Sequence, residues 1–169
     1  MNRNEKVKTY ALILLSGVLV IIFSLYFQKI NEEKRQYEAY LNEFYAHLDN
    51  TDQSVQYLLS STEEMDISGI LMSIENNLET TNLLLSIGNR TVDSNITYHP
   101  RFFVGRITIE PANDDGRLTK EQRNELQKVE KGLEYMKEGL YSEQTGQENK
   151  DLSAKEFNEI IEKGASLGE

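Results

Sequence analysis

Residues 10–27 read YALILLSGVLVIIFSLYF, eighteen positions without a charge, twelve of them Leu, Ile, Val or Phe. Near a bilayer centre each such side chain favours insertion by about 0.3–0.6 kcal/mol. Twelve give roughly −4 to −7 kcal/mol, an upper bound because flanking positions count less. As a helix, eighteen residues reach about 27 Å, close to the hydrocarbon thickness. Tyr10 and Tyr26 stand where aromatic rings favour the interface. The stretch therefore predicts a transmembrane helix over 10–27, with Tyr10, Leu15, Val20, Phe23 and Phe27 spaced along it. A cleaved signal peptide competes, but its apolar run is about 7–15 residues and ends in small residues. Here the run ends in Ser24-Leu25-Tyr26-Phe27-Gln28, and bulky Tyr26 and Phe27 make a poor cleavage site. A soluble helix uncharged over such a length would need covering on every side.

The flanks set the expected orientation. Residues 1–9 carry Arg3, Lys6 and Lys8, and the eighteen residues beyond the span carry Lys29, Lys34 and Arg35, a tie of three to three. A short basic tail before the first apolar helix is the usual signal-anchor layout. The expectation is a cytoplasmic tail over 1–9 and an extracytoplasmic domain over 28–169, in a single-pass protein of the cell membrane. Past Phe27 the chain holds 15 basic and 27 acidic residues. Such a surface is repelled by anionic headgroups and argues against nucleic acid as a partner.

Helical spacing begins directly after the span. Ile30, Tyr37, Phe44, Thr51, Leu58 and Met65 recur every seven residues, with Lys34, Leu41, Leu48, Val55 and Thr62 between them. This is a coiled-coil-like stripe with gaps, predicting a helix near 28–61. No Gly or Pro lies between Gly17 and Gly69, so the helix is free to continue from the membrane. Asp49-Asn50-Thr51-Asp52, all poor helix formers, are the expected weak point. Ser61 and Glu64 fit a capping box opening a second helix near 64–88. Its stripe is Ile67, Leu71, Ile74, Leu78, Thr81 and Leu85, widened by Ile70, Leu84 and Ile87, with Gly88-Asn89 as the expected stop.

Residues 89–117 read as an extended insertion. Between Pro100 and Pro111 lies RFFVGRITIE, with Phe103, Ile107 and Ile109 alternating on one face and Phe102 and Val104 on the other. Two readings compete for it. These residues seal one end of the helical body, or they present Phe102, Phe103, Val104, Ile107 and Ile109 to a partner. Asn113-Asp114-Asp115-Gly116 reads as a turn. Thr119 and Gln122 fit a capping box for a helix near 119–141, striped by Leu126, Val129, Leu133, Met136 and Leu140. A polar loop over 142–151 leads to Ser153 and Glu156, which cap a last helix near 153–164 carrying Phe157, Ile160 and Ile161.

Chemistry is sparse. With no cysteine there is no disulfide, thiol or thiolate metal site. Phosphate-binding glycine loops, HExxH and GxSxG are absent. His47 and His99 are isolated. Residues 111–122 echo a calcium loop but put Pro111 and Gln122 where an acid and a bidentate Glu are required. Asn89-Arg90-Thr91 and Asn95-Ile96-Thr97 match the glycosylation pattern, which is common by chance. The fold class expected is mainly α: a transmembrane helix, then an elongated three- to four-helix bundle or hairpin with one irregular or β-containing insertion. The expected role is non-enzymatic and cofactor-free. The domain would serve protein interaction or envelope assembly, through a protein partner or self-association of its helices. The alternative is a sensor or ligand-binding module signalling through a membrane partner.

Overall fold

A computed structural model describes residues 3–60, 67–97, 100–103 and 117–168. The protein is mainly helical. Helix α1 runs Arg3–Ser60, α2 Ile67–Thr91, the single turn α3 Pro100–Phe103, α4 Lys120–Leu140 and α5 Ala154–Leu167. A two-residue antiparallel pair, β1 (Tyr141–Ser142) and β2 (Gln147–Glu148), lies between α4 and α5. The chain divides into two units, residues 1–37 and residues 38–169.

In the first unit α1 carries one segment long and apolar enough to cross a membrane, and none of it is buried in the protein. Its large side chains are exposed on every side, from 43% at Val18 to 71% at Tyr10. The hydroxyl of Ser16 donates within the helix, to the Leu12 and Ile13 carbonyls at 3.0 and 2.9 Å. That is how an apolar helix satisfies a serine without solvent. Beyond the segment the surface turns ionic. Lys29 pairs with Glu33 at 3.6 Å and Arg35 with Glu32. The Arg35 and Gln36 hydrogen bonds hold the Glu32 carboxyl below its usual range.

In the second unit the predicted stripes become a core. Tyr40, Leu41, Phe44, Leu48, Val55 and Leu58 of α1 are buried. So are Leu71, Ile74, Leu78 and Leu85 of α2, the α4 stripe from Leu126 to Leu140, and Phe157 and Ile161 of α5. Phe44 sits at the centre, edge-on to Phe157 at 5.0 Å and to Phe103 at 6.4 Å. Burial of these rings and branched chains is the main stabilising term. Helices α4 and α5 cross closely at Gly132. A Cβ there would lie 2.7 Å from the Gly164 carbonyl oxygen and 2.6 Å from the Phe102 ring. Two of the three predicted capping boxes fall in the described residues and are formed, Thr119 with Gln122 and Ser153 with Glu156.

Several expectations need correction. The weak stretch at 49–52 does not break α1. The Thr51 hydroxyl donates to the His47 carbonyl at 2.6 Å, and Asp52 is held by a long-range ion pair, so tertiary contacts override poor propensity. Gly88 does not stop α2, which continues to Thr91. Tyr40 of α1 packs so closely there that a Cβ would lie 2.7 Å from its ring, so the glycine serves the approach of two helices. The 89–117 insertion is not extended throughout, since residues 89–91 complete α2 and residues 100–103 form α3. Pro100 opens α3, the helix position where its missing N–H costs nothing. The polar segment expected as a loop holds a small hairpin instead, closed by Gly146 at φ 69°, a left-handed position that suits glycine. The last helix runs three residues further than expected, to Leu167. The capping box at Ser61 and the residues Val104, Ile107, Ile109 and His99 lie outside the described residues.

Candidate functional site

Three features of the described residues carry more than packing. The first is the uncovered apolar segment itself. Tyr10, Leu15, Val20, Phe23 and Phe27, the predicted spanning residues, are all exposed, between 57% and 71%. An uninterrupted apolar surface of this extent is far beyond the scattered exposed residues normal for a protein in water.

The second is a polar seam between α1 and α4. Position 45 and its neighbours at 49 and 52 stand three and four residues apart, which puts Tyr45, Asp49 and Asp52 on one helix face. Lys137 of α4 reaches this face and places its ammonium 2.7 Å from Asp49 Oδ1 and 2.6 Å from Asp52 Oδ2. Asp52 is 1% exposed, and its Oδ2 also accepts from Gln56 at 3.1 Å, while Oδ1 is buried without a hydrogen-bond partner. Burial alone would lower the Lys137 pKa. The hydrogen bonds and charges of Asp49 and Asp52 outweigh it and hold the ammonium above its ordinary value. Burial, with Asp49 next, raises the Tyr45 phenol. Burial, then the charges of Glu134 and Asp52, raises the Glu130 carboxyl on the same side of α4. Burial also works to raise Glu148 of β2. Its own backbone N–H, the Asn42 side chain and Lys150 together bring it below the usual carboxylate range. The arrangement fastens α1 to α4 and the hairpin. It offers no nucleophile with an attendant base, and no group of three metal-binding side chains occurs among the described residues.

The third is an open groove of about 500 Å³ between the Asn50, Gln53 and Tyr57 face of α1 and the Ser73 and Asn77 face of α2. His47, isolated in the sequence, adjoins it through Asn77, with Nδ1 3.2 Å from Asn77 Oδ1.

Phe102 and Phe103, the sequence's candidates for a docking patch, are 1% exposed each. Their rings meet edge-on at 4.8 Å, and Phe103 packs on Phe44. They seal the core and do not form a surface, because the α3 turn aims both rings inward where a strand would have sent them to opposite faces. Both glycosylation-pattern asparagines use their amides locally. Asn89 donates to the Ser94 and Ile96 carbonyls at 3.0 and 2.6 Å, and Asn95 to Asp93 Oδ1 at 2.8 Å.

Sequence reasoning missed both the seam and the groove. A signal for the seam existed: Asp52 directly follows Thr51, a gap in the apolar stripe, so a charge stood beside the core face. Its partner, 85 residues away, left no local trace. The groove joins two helices whose polar residues read separately as solvent-facing. Compared with protein-family models, curated proteins and solved structures, the chain matches none of them.

Proposed function

We propose that residues 10–27 anchor this protein in the cell membrane as a single-pass signal-anchor helix. Residues 28–169 then form an extracytoplasmic helical bundle that binds another protein and carries out no chemistry of its own. The observation that carries the reading is the eighteen-residue apolar segment with no part buried in the protein, joined in one chain to a unit with its own aromatic core. An apolar surface that the protein does not cover has a solvent of its own, and lipid fits its length. The Lys/Arg tie leaves the layout of a short basic tail to favour a cytoplasmic N-terminus.

The bundle is built from the 38–60 part of α1 with α2, α4 and α5. With Phe102 and Phe103 in the core, partner contact falls to the outer faces of these helices, where Met72, Leu83 and Ile87 are exposed on α2. The groove between α1 and α2 favours a second reading, a ligand-binding module that signals through a membrane partner.

Two experiments test the first reading. Ser166, exposed on α5, is replaced by cysteine in the cysteine-free chain. Labelling of intact cells by an impermeant thiol reagent is expected, and labelling only after the membrane is breached overturns the orientation. Photo-crosslinking from Leu83 in intact membranes is expected to capture one discrete protein partner. Recovery of uncrosslinked chain alone overturns the interaction role.

A further inference from the structure

We propose that the groove between α1 and α2 is a binding site for a neutral, hydroxyl-rich ligand, a short uncharged saccharide chain. The inference rests on the ligand-binding reading of the domain and is independent of how the chain is anchored. The groove's chemistry selects the ligand class. Charged residues make up 27% of the chain, yet among the described residues no acidic or basic side chain lines this groove. Amides and hydroxyls do instead, from Asn50, Gln53, Ser54, Ser73 and Asn77, beside two apolar surfaces, the ring of Tyr57 and the side chain of Ile70, with Gly69 completing the wall.

Two of the amides are anchored by one atom and leave the other for a ligand. Gln53 donates through Nε2 to Asp49 at 2.6 Å, which leaves Oε1 as an acceptor. Asn77 meets His47 through Oδ1, which leaves Nδ2 as a donor. Amides fixed on opposite walls, one with a spare acceptor and one with a spare donor, suit vicinal hydroxyls, each of which donates and accepts. Tyr57, 56% exposed, supplies an apolar ring face with a polar tip, the surface on which the C–H face of a sugar ring rests. A charged ligand would find no counter-ion here, and a purely apolar one would strip water from the amides without replacing it. The volume of about 500 Å³ lies within the range of small-molecule sites. A groove this open to solvent implies weak, fast-exchanging binding, with Kd on the order of 1 mM.

The test uses the full chain in micelles of a detergent without a sugar headgroup. The side-chain amide NMR signals of Asn50, Gln53 and Asn77 are followed during titration with cellotetraose, tetra-N-acetylchitotetraose and a sulfated tetrasaccharide. At least one neutral probe is expected to shift these signals saturably. Tyr57→Ala is expected to weaken that binding roughly tenfold. Asn50→Asp, which adds a charge to the wall, is expected to weaken it as well. Both positions are exposed, so an unchanged thermal midpoint verifies that each variant is folded. The proposal is overturned if neither neutral probe moves the amides at about 20 mM, or if the shifts survive Tyr57→Ala unchanged. A sulfated probe binding more tightly than the neutral ones also overturns it, and would leave the groove as a site for another ligand class. None of these results bears on partner capture or membrane retention, which the crosslinking and extraction experiments read.

Discussion

Replacing Lys137 by Met puts the polar seam to a quantitative test. The substitution keeps the aliphatic stem and deletes the ammonium. Asp52, 1% exposed, then keeps only the Gln56 amide at 3.1 Å as a donor, while Oδ1 remains bare. A hydrogen bond to a charged group contributes about 1.5–3 kcal/mol, and orphaning a fully buried ion costs about 3–5 kcal/mol. The seam is buried only in part, with Lys137 21% and Asp49 33% exposed, so a loss of about 2–3 kcal/mol is expected. Asp52→Asn in the Lys137→Met background removes the stranded charge and should restore more than half of that loss. The coupling between the two sites, the restored part plus whatever Asp52→Asn costs alone, is then at least about 1–1.5 kcal/mol. Urea unfolding of the full chain in micelles, read by circular dichroism, measures all four corners of the cycle. Lys137→Met costing under about 0.5 kcal/mol, or the two losses simply adding, would refute the role given to the pair. The pH dependence follows from the same contact. A lysine with a raised native pKa stabilises fully below the unfolded value of about 10.4, and that contribution is lost as pH rises through the native value. Wild type should therefore lose stability in that alkaline window, and Lys137→Met should lose less.

Other outcomes are equally specific. Gly132→Ala should destabilise by about 1–3 kcal/mol in the same urea assay, because its Cβ meets the Gly164 carbonyl of a neighbouring helix backbone and the Phe102 ring. Glu130→Gln should stabilise slightly at pH 7, by relieving a carboxylate that burial and the neighbouring Glu134 and Asp52 disfavour. A carboxyl with a raised native pKa stabilises below about pH 4.3 and loses that contribution as pH climbs, so the gain should vanish in acid. Ser153→Ala should cost about 1 kcal/mol through loss of the cap on α5, and a melting midpoint unchanged within error would contradict that. Leu15→Arg with Val20→Arg costs about 5–7 kcal/mol of insertion energy, enough to cancel the favourable term, so the double variant should partition to the soluble fraction.

How far the amino-acid order can be read follows from the range of the interactions involved. The spans, stripes and caps are local. Thr119 and Gln122 sit three residues apart, and so do Ser153 and Glu156, so spacing alone fixes their geometry. Heptad spacing likewise puts Leu41, Phe44, Leu48 and Val55 on the face that the fold buries. It fails at Ile30, which keeps the spacing, and at Ile87, which widens the α2 stripe; both are exposed, because periodicity names a face without showing what covers it. Alternation misreads Phe102 and Phe103, since two adjacent aromatics fit a strand and a tight helical turn equally well until Phe44 supplies a packing partner. The hairpin escapes notice because two-residue strands carry no pattern of their own. The seam and the groove are illegible for one reason: each is assembled by side chains from separate helices, and only the fold makes Lys137 a neighbour of Asp52.

The most direct measurement takes membranes bearing the full-length, unprocessed chain and extracts them with alkaline sodium carbonate in the absence of detergent. Lipid as the solvent of residues 10–27 predicts that the protein stays with the sedimented bilayers and leaves only when detergent is added. Intact chain in the carbonate supernatant would contradict the anchor, and with it the extracytoplasmic placement of the helical domain.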